Sequence, residues 1–536
     1  MKNSLSIPEK EVRISLRNST IAGAVGVFFF MIVQAGPLPL MLEKMGAGGI
    51  AIGLTATLFQ LGLLIQIPAA FFTERLASRK LFWASTTITA RAAMAIPGIY
   101  LLLFPEQQSA GIWITLLAIG FFSFIAQAGA PCWFSWMADL VPDSLRAGFW
   151  ARRQGVVMTA SVASVALTGW FLDLFPETTL AGFGWLLVFA SVMGVLDIVI
   201  HWHVAEPAPT PANRSLSPAK RIFQPLENRD FLYFTLAMCV WFFSLGFFGP
   251  FLNVYLKSAF GTTYTHLSAI QLAGMLSGVV SSFVGGRLIE RMGLRTYGLA
   301  MVVSVPVFSL VWFFLDGETT GLLPILGTVP QPVMLLCISS LIGGGIYAGV
   351  GMLQLNLLSV LAPREGRTMA MAVHWSMIGL LSAAGPIAGG WVKDYFTAHS
   401  IDLRLYAGTP FSYFHVMVVF QSLLVWFAML PLLVKISKKD GEWPLNQAVV
   451  DIFVFTPLRS VRNAYNFNLA ASSVAINTVK GTASAAGKIA ARAAKDTGTI
   501  AIRAVKETVV AAGRAGKESV DKAKQKQERK KEGKNP

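Results

Sequence analysis

Glu74-Arg75-Leu76-Ala77-Ser78-Arg79-Lys80 is a short charged turn set between two apolar stretches. A second turn of the same kind, Gly286-Arg287-Leu288-Ile289-Glu290-Arg291-Met292-Gly293-Leu294-Arg295, follows about 216 residues later. Each copy places a carboxylate and guanidinium groups at a tight junction between helices, where they can pair across helix ends. Two further matches support a repeat. Gly36-Pro37 and Lys44 recur as Gly249-Pro250 and Lys257 at an offset of about 213. Pro142, Arg146, Gly169, Trp170 and Asp173 recur as Pro363, Arg367, Gly390, Trp391 and Asp394 at about 221. Matches in a fixed order with a slowly drifting offset are the trace of a duplicated unit that has gained a few loop residues.

The sequence around these turns is suited to lipid. The 536 residues are 54% hydrophobic and only 13% charged, with a mean hydropathy of +0.58, more apolar surface than a soluble core can hide. About twelve segments of membrane-crossing length run from Ser19 to Leu433. The expected fold is an all-α membrane protein of twelve transmembrane helices in two six-helix repeats, 19–203 and 230–435. Residues 1–18 precede them, and 204–229, with Pro207, Pro209, Pro211 and Pro218, form the linker. A basic tail occupies 436–536. An even helix count gives both repeats the same orientation. The first segment is too long for a removable signal peptide and is expected to stay.

Basic residues are retained on the cytoplasmic side during insertion. Arg13, Arg17, Arg75, Arg79, Lys80, Arg152, Arg153, Lys220, Arg221, Arg291 and Arg367 fall in one class of loop, and only Lys44, Lys257, Lys393 and Arg404 in the other. Both termini are therefore expected in the cytoplasm, in a cell inner membrane or plasma membrane. The net charge of +16 then reflects topology and the tail, not nucleic-acid binding. Cys132, Cys239 and Cys337 are scattered through apolar segments and suggest neither disulfides nor a metal site. No nucleophile and base, phosphate-binding loop or metal-ligand cluster stands at a recognisable spacing, so neither an enzyme nor a cofactor is expected.

The paired turns resemble the signature of the major facilitator superfamily, a glycine followed by an acid-Arg-x-Gly-basic turn between the second and third helices of each half. Ala70 and Ala77 depart from it in the first copy; the second is intact. The resemblance covers residues 15–436 and implies a secondary transporter whose halves rock around a midplane site. Glu74, Arg75, Arg79, Gly286, Glu290, Arg291, Gly293 and Arg295 would then form a cytoplasmic gate. Gly379 and the run Gly385-Pro386-Ile387-Ala388-Gly389-Gly390 resemble the antiporter signature, but on the eleventh helix instead of the fifth. Gly385, Pro386, Gly389 and Gly390 are therefore assigned to helix packing and bending.

In this family the first, fourth, seventh and tenth helices line the central cavity. That layout makes Gln34, Gln127, Asn253, Gln354 and Asn356 the substrate candidates, with Trp133 as a flat wall beside them. Arg91 is the deepest charge, and Asp197 is its expected partner, in a structural pair or a coupling one. His374 is expected at a solvated or helix-capping position. A wall of amides and aromatics suits a neutral, amphipathic or mildly anionic small solute. The alternatives are a lipid- or pigment-handling protein on the same scaffold and a non-transporting scaffold acting through its tail.

In the tail, units of eleven residues start at Val479, Ala490, Ala501 and Ala512 and align Arg492, Arg503 and Arg514 with one another. Eleven residues make three turns, so such columns keep to fixed faces of a helix. They resemble amphipathic repeats of synucleins and apolipoproteins. The expected partner is the anionic lipid surface, with recruitment of a protein as the alternative.

Overall fold

The computed structural model describes residues 7–34, 36–73, 75–207, 218–323, 326–362, 367–399, 403–404, 410–438 and 441–455. Glu74 and the eleven-residue repeats of the tail lie outside the described residues. Among those described, twelve helices are long and apolar enough to cross a membrane. Spans 1 to 6 are Glu9–Lys44, Gly49–Thr73, Arg79–Leu103, Gln108–Leu140, Gly148–Asp173 and Ala181–His201. Spans 7 to 12 are Arg229–Phe260, Tyr264–Met292, Leu294–Phe314, Gln331–Leu361, Met369–His399 and Tyr413–Val434. All twelve belong to one compact unit, 1–448. A second unit, 449–536, has one described turn, Asp451–Phe455. Odd-numbered spans begin at the end that carries the connection between spans 6 and 7, here termed the linker end; the opposite end is the far end.

The two copies of the Gly-Pro pair fold differently. In span 1 the helix stops at Val33 and restarts at Pro37, with Gly36 at φ 151°, a backbone region that side chains rarely enter. In span 7, Gly249-Pro250 stays inside one helix, Arg229–Phe260. Asn228, Thr263 and Ser412 cap spans 7, 8 and 12 through their side chains, satisfying backbone donors that a helix start leaves open.

The halves meet along two seams, span 2 with span 11 and span 5 with span 8. The first seam is closed along its length. A methyl group on Gly390 would collide with the Gly49 backbone at the far end. Midway, Thr57 donates to the Ala383 carbonyl at 2.7 Å and Ser376 to that of Leu63 at 3.0 Å. At the linker end Ala70 packs on Met369, Ala372 and Val373, beneath Ile222 and Leu226 of the connecting helix Pro218–Glu227. Gly385 and Gly389 lie against the Phe243 and Phe247 carbonyls of span 7, so the glycine run brings span 11 onto spans 2 and 7 together. The second seam is tightly packed towards the far end, where Gly169 lies against Ser268 and the Tyr264 carbonyl. Nearer the linker end, a Cβ added to Gly155 or Gly286 would find nothing within 4 Å.

Candidate functional site

A cavity of about 500 Å³ opens among the first six spans, and every lining residue comes from the first half. Gln34 of span 1, Gln60 of span 2, and Gln127 and Trp133 of span 4 are on its wall, with Thr87 and Arg91 of span 3, Arg153 of span 5, and Asp197 and His201 of span 6. Glycine makes this wall possible, because a methyl group on Gly26 would strike the Asp197 carboxylate, and one on Gly23 would come within 2.6 Å of the Arg153 guanidinium.

Asp197 is buried and used on both oxygens. Arg91 Nη1 donates to Oδ2 and also to the Gly194 carbonyl at 2.8 Å, while His201 Nδ1 stands 2.9 Å from Oδ1. The sequence pairs Arg91 with Asp197; His201 is the member it misses, although it follows Asp197 by four residues and so shares its helix face. Trp133 Nε1 can only donate, and it points at His201 Nε2 from 3.4 Å. That arrangement leaves Nδ1 to carry the proton towards Asp197. The Arg91 guanidinium lies 5.3 Å and 5.0 Å from the Phe29 and Phe30 rings, in contacts that favour a cation.

Arg153 is a second residue that sequence reasoning overlooks, because a basic residue near a helix start reads as a topology signal. Its guanidinium lies 5.2 Å from the Trp133 ring and 5.7 Å from that of Trp150. The remaining candidates do not join the cavity. Asn253 lines a separate cleft of about 30 Å³ between the halves, beside Gly36. Gln354 is buried in the second half, 3.3 Å from His374 Nε2. Asn356 is exposed and donates to the Met352 carbonyl of its own helix. His374 is neither solvated nor a cap. It is fully buried, stacked on Phe234 at 4.9 Å and 3.0 Å from Thr235 Oγ1, because the linker-end stretch of span 11 is covered by spans 7 and 10.

The duplicated turns hold each half together; among the described contacts they do not bridge the two. Arg79 is buried and pairs with Asp139 of span 4 at 2.6 Å, while the Glu206 carboxylate accepts from Ser78 Oγ and from the Arg79 backbone, each at 2.7 Å. In the second copy Arg295 donates to the Val434 carbonyl at 2.7 Å, and Arg291 lies 4.6 Å from the Trp443 ring. Arg75 and Glu290 are exposed. Gly293 has φ 89° and a chain turn at its back: Trp443 donates its backbone N–H to Met292, and Thr296 donates to the Trp443 carbonyl. In each half, then, the segment after the last span locks the turn between its second and third helices. Arg79 and Arg295 each find acceptors inside their own bundle, so among the described contacts these two form no latch across the halves.

At the far end the halves do reach for each other, twice and in the same way. Asp173, at the end of span 5, accepts the backbone N–H groups of Tyr264 and Thr265 at 2.8 and 2.7 Å, capping span 8. Asp394, its duplicate near the end of span 11, accepts those of Gly49 and Ile50 and caps span 2. A carboxylate at a helix start satisfies open donors and meets the positive end of the helix dipole. Lys257 pairs with Glu177 at 2.7 Å and Lys393 with Glu43 at 2.9 Å, both across the halves.

Residues 20–386 match the family model of the Major Facilitator Superfamily. The chain belongs to this superfamily. Solved structures carry the same fold. The nucleoside transporter NupG superposes with a TM-score of 0.57 at 12% identity, covering 78% of this chain and 99% of that one. An inward-facing, unoccupied bacterial homologue of the human lysosomal transporter Spinster gives 0.59 at 14% identity, covering 81% and 100%. A bacterial homologue of the iron transporter ferroportin, also inward-facing, gives 0.55 at 14%, covering 80% and 99%. A comparison with curated protein sequences gave no match. The twelve spans and the superfamily membership make this a multi-pass membrane protein.

Proposed function

We propose that this superfamily member is a secondary transporter that moves a small solute by alternating access, with the first-half cavity as its solute site. The observation that carries this reading is the two-fold closure of the far end by Asp173 and Asp394. Each cap crosses between halves, so both must break before the far end can open. The contacts are few, polar and set beside glycines, which suits a seam that opens and closes repeatedly. With the positive-inside distribution of Lys and Arg, the linker end is cytoplasmic and both termini lie inside an inner or plasma membrane. The basic tail then lies beside the anionic leaflet or recruits a protein there.

The test combines solute-dependent thermal stabilisation of the purified protein with solute exchange in proteoliposomes. A solute that stabilises the protein and exchanges across the vesicle is the expected result. Gly169→Trp or Gly390→Trp should prop the far end open, stopping exchange while leaving solute binding in place. Undiminished exchange in both variants would remove the far-end closure from the mechanism, and a stabilising solute that never crosses would remove the carrier.

A further inference from the structure

The cargo of the carrier can be narrowed from the cavity wall, an inference that rests on the reading above. Two guanidinium groups, Arg91 and Arg153, and one carboxylate, Asp197, line the cavity, so its permanently charged side chains leave one positive charge in surplus. Asp197 is committed to Arg91 and His201. Arg153 has no ion pair among the described residues and is held by the faces of Trp133 and Trp150. Nε of Arg153, Nε of Arg91 and Oγ1 of Thr87 are all buried without a hydrogen-bond partner among the described residues, and all three residues line this cavity.

An unmet buried donor costs about 1–3 kcal/mol, more when charged. Three residues of one wall carry such groups, and a wall with a surplus cation among them is matched by a ligand that brings acceptor oxygens and negative charge. We propose that the cavity binds an organic anion, a carboxylate or phosphate joined to a flat or apolar body, with Arg153 anchoring the charged group. A guanidinium offers parallel N–H donors that fit either anion. Phe30, Phe59 and Phe122 on the same wall receive the body, and about 500 Å³ accommodates a small organic molecule. A cation would meet the surplus charge, and a neutral solute would leave it unmatched. A soluble organic anion and the headgroup of an anionic lipid share this chemistry.

The experiment measures binding to the full chain in detergent, by thermal shift and tryptophan fluorescence, with probes built on one ring system. These are naphthoate, naphthyl phosphate, naphthamide and naphthylmethylammonium; dodecyl phosphate serves as the lipid-like probe. The expected result is binding of the anions over the amide and the ammonium, weakened about tenfold or more by Arg153→Gln and less by Arg153→Lys. Arg152→Gln, on an exposed neighbour, should leave it unchanged, and a cooperative melt certifies that each variant is folded. Preference for dodecyl phosphate that depends on Arg153 assigns the anion to a lipid, and preference for the naphthyl anions to a soluble solute. Equal binding of naphthoate and naphthamide, or anion binding untouched by Arg153→Gln, overturns the proposal. Exchange of a neutral or cationic solute that survives Arg153→Gln removes the anion assignment and keeps the carrier. Arg153-dependent binding without exchange removes the carrier and keeps the site.

Discussion

The offset of about 221 residues that aligns Asp173 with Asp394 also aligns Arg153 with His374 and Trp133 with Gln354. In the first half this pair of positions is a guanidinium against an indole ring, facing a cavity. In the second half it is an imidazole 3.3 Å from an amide, fully buried between Phe234, Thr235 and span 10. The same backbone site is thus a cavity wall in one copy and a satisfied core in the other. Duplication preserved the scaffold and the far-end caps, whereas chemistry was free to diverge where the wall faces the interior. The asymmetry puts the cavity in one half of a structure whose far-end caps are two-fold, and the proposed site follows it.

The comparison can be broken by substitution. The largest effect is expected for Asp197→Ala, which leaves Arg91 buried without its counter-charge and should cost about 3–5 kcal/mol of apparent stability, read from thermal unfolding in detergent. The corresponding region of the second half has no such pair among the described residues, so its stability depends on smaller terms. His374→Ala should cost about 2–3 kcal/mol, through lost packing and the unpaired Thr235 and Gln354, without changing ligand affinity. Arg153→Gln should do the reverse, changing the melting temperature little while weakening ligand binding. If His374→Ala weakened binding as much as Arg153→Gln, the two halves would share the site and the asymmetry would be wrong.

Smaller effects test the part that stayed symmetric. Asp173→Ala and Asp394→Ala should each weaken far-end closure by about 1 kcal/mol, the usual worth of a helix cap, and the double variant by roughly the sum. Labelling of a cysteine introduced at the far end, before and after each change, reports the shift. A strong response to one aspartate and none to the other would show that the closure is not two-fold. Glu177→Gln removes a partly exposed ion pair with Lys257 and should shift the same readout least, by less than about 1 kcal/mol and only at low salt.

Much of the scaffold was legible because it rests on local rules. Apolar length sets the spans, and a fixed order of matches reveals the repeat. Scarcity of charge at depth pairs Arg91 with Asp197, since a lone ion there would be prohibitive. Gln34, Gln127 and Trp133, singled out by the helix on which each stands, line the first-half cavity. Asn253, Gln354 and Asn356, singled out by the same rule, lie away from that cavity, because helix identity says nothing about the direction a side chain takes around the helix. Asp173 and Asp394 were visible as a repeated pair with no role to attach to them, since a helix cap across two bundles has no signature at either position alone.

The sequence by itself determined that this chain has twelve spans in two parallel sets and where its deepest charges lie, because hydrophobic length and the cost of buried charge act residue by residue. Only the tertiary structure decided that Arg153 faces a cavity while His374 is sealed, that Arg79 turns to Asp139 within its own half, and that two aspartates close the far end. Those outcomes depend on which helix packs opposite each side chain, and partners about 60 to 350 residues apart in sequence meet only once the bundles have assembled.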